Sequence, residues 1–191
     1  MNFVIEKIPH KIAKHWVETW HYSKRMPTGK NINFGVFCDG ELYAVIVYGI
    51  GVNPYQAKYL GVDAVVEIKR MCRSEPPNPN YPLSKFISLT TRLVVKEFPC
   101  QCVVAFADPE QGHEGTVYKA SNFKLHGKTN AEVHLIDAHG VMRHRRYAFR
   151  HARRNNIPLE ESRQILGVTR IKTQPKYRWV RMLKGRSNVA V

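Results

Sequence analysis

Behind Pro9, apolar residues recur at helical spacing (Ile12, Ala13, Trp16, Val17, Trp20), which predicts a first helix opened by proline and followed by a polar loop over residues 22–30. Two apolar runs, Asn33 to Cys38 and Leu42 to Tyr48, flank Asp39-Gly40, a two-residue hairpin signal. A Gly and Pro loop is expected from Gly49 to Gly61, then a strand from Ala64 to Cys72, then an irregular stretch, SEPPNPNYP. Ser84 is the expected N-cap of a helix in which Phe86, Ile87, Thr90, Leu93 and Val94 share a face as far as about Phe98. The strand Cys102 to Phe106 comes next, and Asp108-Pro109 ends it, because a residue before proline is pushed out of helical geometry. Gly112 and Gly115 mark a turn. Thr116 to Ser121 is expected to form one or two helical turns that bury Val117 and Ala120 and present Tyr118 near Asp108. Strands are predicted at Phe123 to Gly127, Ala131 to Ile136 and Val141 to Tyr147, the last two joined by a turn at Asp137 to Gly140. A short helix from Pro158 to Gly167 and a closing strand from Tyr177 to Leu183 complete the order. The sum is one α/β (α+β) domain over residues 1–191, with a mixed central sheet flanked by helices.

Composition narrows the function. The chain carries 30 Lys and Arg against 15 Asp and Glu, a formal charge of +15, and the excess is polarised. From Val141 onward fourteen basic residues face only Glu160 and Glu161, so the part from about 141 to 191 holds +12 of it. Such a patch attracts phosphate polymers through counterion release, and nucleic acid is the expected partner. RHRRYAFRHARR places Arg143, Arg145, Arg146, Arg150, Arg153 and Arg154 around Tyr147 and Phe149, a mixture suited to phosphates and base faces. No apolar run is long enough to span a bilayer and the N-terminus lacks a secretory pattern, so a cytoplasmic protein with no membrane partner is expected. Cys38, Cys72, Cys100 and Cys102 lie in or beside predicted strands, where cysteines are small buried hydrophobes rather than a disulfide framework. Cys100-x-Cys102 with His113 is a thin basis for zinc, so no metal ligand is assigned, and iron is left open.

The segments WHYSKRMP (20–27), FGVFCDGEL (34–42), VEIKRMCRS (66–74), FADPEQGHEGTVYKASNF (106–123) and KYRWV (176–180) carry a resemblance. Their order resembles the GNAT acetyltransferase fold, and more closely the Mom family of Mu-like bacteriophages. That resemblance implies a transferase that adds a carbamoylmethyl group to N6 of adenine in phage DNA, protecting it from restriction. It also implies a small-molecule group donor. Acetyl-CoA or a related acyl donor would suit the fold, yet the Gly-rich loop that cradles pyrophosphate is replaced by EPPNPNYPLSK, whose prolines offer no N–H. Ser84 and Lys85, at the start of the following helix, are the expected contacts for an anionic donor. A homodimer is left open.

Adenine N6 is a poor nucleophile, since its lone pair is drawn into the ring, and in a duplex the base must be extracted before it can react. Asp108, at a strand's carboxyl end, is expected to accept a hydrogen bond or proton from that amine, or else to cap the turn before Gly112. Tyr118 is the expected general acid, by likeness to the superfamily's tyrosine, or else a half-buried aromatic. Arg70 would hold an anion or oxyanion, or pair with Glu67 or Asp108. His21 and Tyr22 would stack on an extruded base or complete an aromatic cluster with Trp16 and Trp20. Two other functions fit the same residues: an N-acyltransferase acting on a protein or RNA amine, and a non-catalytic nucleic-acid-binding protein.

Overall fold

The computed structural model describes residues 3–50, 54–75 and 81–183. The chain contacts divide into two compact units. The first holds the chain up to Ala107, Gly115–Gly127 and the stretch from Arg178, while the second holds Asp108–Glu114 and Lys128–Tyr177. The basic C-terminal part therefore contributes to both. Among the described residues no helix is long and apolar enough to cross a membrane.

In the first unit, β1 (Phe3–Lys7), β2 (Asn31–Cys38), β3 (Glu41–Ile50) and β4 (Val65–Arg73) form an antiparallel run. Next to β4 lie β5 (Cys102–Ala107), β10 (Tyr177–Met182) and β6 (Lys124–Lys128), which gives a seven-stranded sheet in the order β1-β2-β3-β4-β5-β10-β6. The β4–β5 pairing is parallel, so the sheet is mixed. The hairpin falls where it is expected: Asp39 and Gly40 have φ of 51° and 91°, the doubly positive turn that matches the strand twist. Helix α1 (His10–Trp20) buries Ala13 and Val17 against Val45, Val47 and Cys72. Helix α3 (Leu83–Glu97) buries Phe86, Ile87, Thr90, Thr91 and Val94. Two threonines on that buried face meet the hydroxyl of Tyr48, at 2.9 Å from Thr90 and 3.3 Å from Thr91, which satisfies a fully buried phenol.

Several sequence expectations are corrected here. The loop expected from Gly49 to Gly61 contains α2 (Pro54–Leu60), whose Ala57 and Leu60 pack on Val65, Cys102, Val104 and Val180. Ser84 is not a cap, because Pro82 occupies that position and α3 begins at Leu83. Ala120 is exposed, since α4 (Thr116–Lys119) is a single turn that ends before it. Strand β1 was not expected. The prolines of SEPPNPNYP fall largely on residues 76–80, outside the described residues.

The second unit pairs β7 (Val133–Ile136) antiparallel with β8 (Met142–His144) and with β9 (Thr169–Lys172), a strand the sequence pattern did not predict. The strand expected from Val141 to Tyr147 stops at His144 and the chain turns into helix α5 (Arg146–Asn155). The reason is visible in the packing. Ala148 and Ala152, one helical turn apart, are buried, and Ala148 packs with Leu135 and Val168. After Asn156, whose φ of 54° ends α5, comes α6 (Leu159–Ile165). The Ser162 hydroxyl joins the two helices by donating to the Ala148 carbonyl at 2.9 Å.

Gly115 takes φ +86°, and a Cβ there would lie 2.0 Å from Nε1 of Trp179. Both constraints oppose any side chain. Gly115→Ala is expected to lose on the order of 3 kcal/mol of stability, from left-handed strain plus overpacking, read as a lowered urea midpoint with an unchanged slope.

Candidate active site

The parallel ladder between β4 and β5 runs from Val65↔Cys102 to Ile68↔Ala105 and stops there. Both strands continue, β4 to Arg73 and β5 to Ala107, while β4 stays paired to β3 through Arg70↔Val47 and Ala44↔Arg73. Past Ile68 the β5-facing edge of β4 therefore has no ladder partner on β5. At the same level β3 and β4 slip register. Val47 faces Arg70 and Tyr48 faces Ile68, so Lys69 is an extra, bulged residue. A bulge kinks a strand and re-aims its neighbours. The Lys69 stem crosses Gly49, where a Cβ would sit 2.0 Å from its Cε, and its ammonium donates to the Thr28 carbonyl at 2.9 Å.

Arg70 follows the bulge. Its Nε donates to the Arg25 carbonyl at 3.2 Å and one terminal nitrogen donates to the Lys69 carbonyl at 2.6 Å. Burial lowers its pKa, opposed by the acidic groups of Tyr22 and Glu67 and aided by the neighbouring Arg25. Tyr22 is exposed and lies against the His21 ring, 4.3 Å between centroids. His21 is buried. Its Nδ1 accepts the Ser23 backbone N–H at 3.0 Å, which leaves the proton of the neutral ring on Nε2. Trp16 and Trp20 make their own pair at 6.2 Å.

Tyr118, on α4, is half-buried beside Phe123. Burial drives its pKa well above the usual phenol value, and the nearby acidic groups of Tyr22, Tyr48 and Glu67 push it further. The phenol stays protonated and is a hydrogen-bond donor at any physiological pH. Arg70 and Tyr118 thus share two electrostatic neighbours, Tyr22 and Glu67. The first unit brings together Tyr22, Arg70 and Tyr118, with His21 against Tyr22. Glu67, whose carboxylate acts on both the cation and the phenol, was weighed in the sequence only as a partner for Arg70. Tyr48 was missed altogether, although Thr90-Thr91 on an otherwise apolar helix face is a signal that a polar partner is buried there.

Asp108 belongs to the second unit and is 8% exposed. One carboxylate oxygen accepts the Glu110 N–H at 3.2 Å, and the other lies 3.1 Å from the ammonium of Lys176. It therefore does cap the one-turn helix Pro109–Gln111, and it is also ion-paired. Its cation is Lys176, where Arg70 had been considered. Lys176 stands in KYRWV, where nothing in the sequence marks it as the partner of Asp108.

At the head of α3, Ser84 is half-buried and Lys85 holds its ammonium 5.3 Å from the Phe3 ring and 5.9 Å from the Tyr81 ring. Those two rings stack at 4.4 Å. The Lys85 N–H is already donated to the Pro82 carbonyl. A pyrophosphate cradle needs converging N–H donors, and Pro76, Pro77 and Pro79, in the preceding segment outside the described residues, have none to give. The residues present do not fit the usual coenzyme A cradle.

Arg143, Arg145, Arg146, Arg150, Arg153 and Arg154 all lie in the second unit, on β8 and α5 and at their junction. Arg143 is ion-paired to Asp137 at 3.0 Å. Tyr147, Arg150, Arg153 and Arg154 line a cavity of about 730 Å³ with His151 and Leu166. Arg145 and Arg146 rim another, of about 450 Å³, floored by Val133, Leu135 and Phe149. Among the described residues no three His, Cys, Asp or Glu side chains gather as a metal centre.

The buried acids give a pH prediction. Tyr48 is pushed up from 10.0 to about 12, and the thiols of Cys72 and Cys102 from 9.0 to about 12 and about 11, all chiefly by burial. A group whose folded pKa is raised adds stability below its unfolded pKa and loses it as pH climbs toward the folded one. Stability is expected to fall from about pH 9 upward, followed by urea denaturation. Absorbance titration should show Tyr48 and Tyr118 still unionised at pH 10, where exposed phenols are half ionised.

The chain is similar to solved acetyltransferases throughout its length. The Bacillus subtilis acetyltransferase in complex with CoA is 11% identical, with a TM-score of 0.52, over 96% of this chain and 100% of that one. The Drosophila melanogaster polyamine N-acetyltransferase is 9% identical, with a TM-score of 0.56, over 95% and 100%. At such identities the likeness establishes the fold, which is that of the GNAT acetyltransferases. In sequence the chain is similar to the methylcarbamoylase Mom of Escherichia phage Mu, 24% identical over 188 residues, which are 96% of this chain and 76% of that protein. The Mom protein family matches residues 2–190, and the chain belongs to it.

Proposed function

We propose that this protein is a DNA-modifying transferase that adds a carbamoylmethyl group to N6 of adenine and so protects phage DNA from restriction. The observation that carries this reading is membership of the Mom family over nearly the whole chain, beside a relative named a methylcarbamoylase. Arg70, past the last β4–β5 pairing, and Tyr118, both near Tyr22 and Glu67, offer chemistry that such a transfer needs. N6 attacks the donor carbon, an N–C bond forms, the leaving group departs with its electron pair, and the amine gives up a proton. Tyr118, held protonated, hydrogen-bonds or protonates the departing group. Arg70 offsets negative charge that develops there. Tyr22, exposed and backed by His21, stacks on the extruded base. In the second unit Asp108, whose carboxylate is fixed by Lys176 and the Glu110 N–H, is by the family resemblance the candidate acceptor for the amine proton. The start of α3 at Ser84 holds an anionic part of the donor, with Lys85 joining if it leaves its aromatic pair. No step is assigned to coenzyme A. The reaction takes place in the host cytoplasm.

Helix α5 and its flanking arginines are the proposed DNA contact. A second reading, an N-acyltransferase acting on a protein or RNA amine, is favoured by one observation, the CoA complex among the similar folds.

Nucleoside mass spectrometry of DNA from cells expressing the protein tests the reaction. A mass-shifted deoxyadenosine is expected, absent with Asp108→Ala and reduced about 10²- to 10⁴-fold with Tyr118→Phe, the range of a lost acid–base group. Unmodified DNA with a folded, unmutated protein and its phage donor supply would favour the acyltransferase. Neutralising Arg145, Arg146, Arg153 and Arg154 together is expected to cut the salt slope of DNA binding by about 3 to 4, at roughly 0.9 per phosphate contact. An unchanged slope would remove α5 from the interface.

A further inference from the structure

Arg178 is an anomaly in the first unit. It is only 9% exposed, and among the described residues its Nε has no hydrogen-bond partner and no carboxylate pairs with it. A buried guanidinium without an anion is costly. Its visible compensation is the Tyr59 ring, 4.3 Å from the guanidinium carbon. Tyr59 is itself 58% exposed, and Tyr55, one helical turn before it on α2, is 78% exposed. His126 on β6 meets the Tyr59 ring edge-on at 5.7 Å. Two further cations belong to the same elements, Lys58 on α2 and Lys124 on β6, both exposed.

The fold explains why these residues meet. Ala57 and Leu60 turn the other face of α2 onto the sheet, where they pack beside Val180. Arg178 lies two residues from Val180 on β10, so both point to the face that α2 covers. Tyr55 and Tyr59 are left facing outward. Large exposed aromatics beside an unpaired buried cation mark a ligand surface rather than a packing surface.

We propose that Tyr55, Tyr59, His126 and Arg178 form a nucleotide site in which Arg178 binds one phosphodiester of a DNA strand and the tyrosine rings stack an unpaired base beside it. A planar guanidinium suits a phosphate, and stacked rings accept any base. A single-stranded segment is the form that offers both groups together. This site rests on the DNA-modification reading and extends it, because an enzyme that modifies a base either meets it single-stranded or extrudes it from the duplex, and both present unpaired nucleotide. It belongs to the first unit, and the α5 arginines to the second.

The test is fluorescence anisotropy with a labelled single-stranded oligonucleotide and a matched duplex, from about 50 to 200 mM salt. Arg178→Gln is expected to weaken single-strand binding and reduce its salt slope by about 0.7, the value of one single-strand phosphate. Tyr55→Ala, at an exposed position, is expected to weaken single-strand binding about 5- to 100-fold with no change in slope. Duplex binding should change less in both. Should Arg178→Gln fail to fold, Tyr55→Ala decides. Variants that bind the single strand as the unmutated protein does would overturn the site, and if the unmutated protein still modifies DNA the function reading stands. An unmutated protein that neither binds nor modifies DNA sinks both. If Arg178→Gln leaves DNA affinity unchanged but abolishes a thermal shift given by inorganic phosphate, the anion belongs to a small molecule and the DNA assignment is overturned.

Discussion

The parting of β4 from β5 after Ile68↔Ala105 is the constraint on which the rest of the first unit depends. A strand edge without a ladder must find other partners for its polar groups. Here it is also the level at which the Lys69 bulge re-aims β4 and sets Arg70 near Tyr22 and Glu67, the two groups that also act on Tyr118. The bulge holds because Gly49 has no side chain to block the Lys69 stem. One missing side chain on β3 therefore helps fix the position of a cation on β4.

Charge and burial act together at that level. Burial keeps Tyr48 neutral, and burial together with the nearby acidic groups of Tyr22, Tyr48 and Glu67 keeps Tyr118 neutral. That makes the group chemically asymmetric, with Arg70 as a cation and Tyr118 as a proton donor. In the second unit the logic is reversed. The Asp108 carboxylate is bound on both oxygens, by a backbone N–H and an ammonium, which fixes its direction. A fixed acceptor needs no reorganisation when a donor arrives.

Much of this was legible in the chain. The hairpin at Asp39-Gly40, the α1 stripe and the apolar strands follow from local chemistry, which the neighbours reinforce. Residues 141–147 misled because alternation in a short, strongly basic segment is a weak signal, and the decision belonged to Ala148 and Ala152 meeting Leu135 and Val168 far along the chain. Helix α2 was hidden by the glycines and prolines around it, and only its packing on Val65, Cys102 and Val104 explains it. Among the candidate site residues, Arg70, Tyr118 and Tyr22 could be picked from the sequence as residue types and Glu67 as a partner for Arg70, but not that Glu67 also acts on Tyr118. Its role depends on the register slip at Lys69, which no pattern in VEIKRMCRS announces.

Helix α5 shows what the basic charge costs. Arg146, Arg150 and Arg154 stand four residues apart, and each like-charged pair at that spacing opposes the helix by about 0.2–0.5 kcal/mol. No acidic residue in its first turn offsets them, although Arg153 and Arg154 gain a little from the helix dipole at its end. The helix forms because two alanines let it approach the small core closely and because Ser162 ties α6 to it, its hydroxyl donating to Ala148 and lying 3.0 Å from His151. A row of arginines maintained against mutual repulsion is relieved by a polyanion, whose phosphates turn each repulsive pair into two attractive contacts. The same accounting applies to Arg178, a cation whose burial is only partly offset by Tyr59. In both places, among the described residues, the chain carries positive charge that no acidic side chain neutralises.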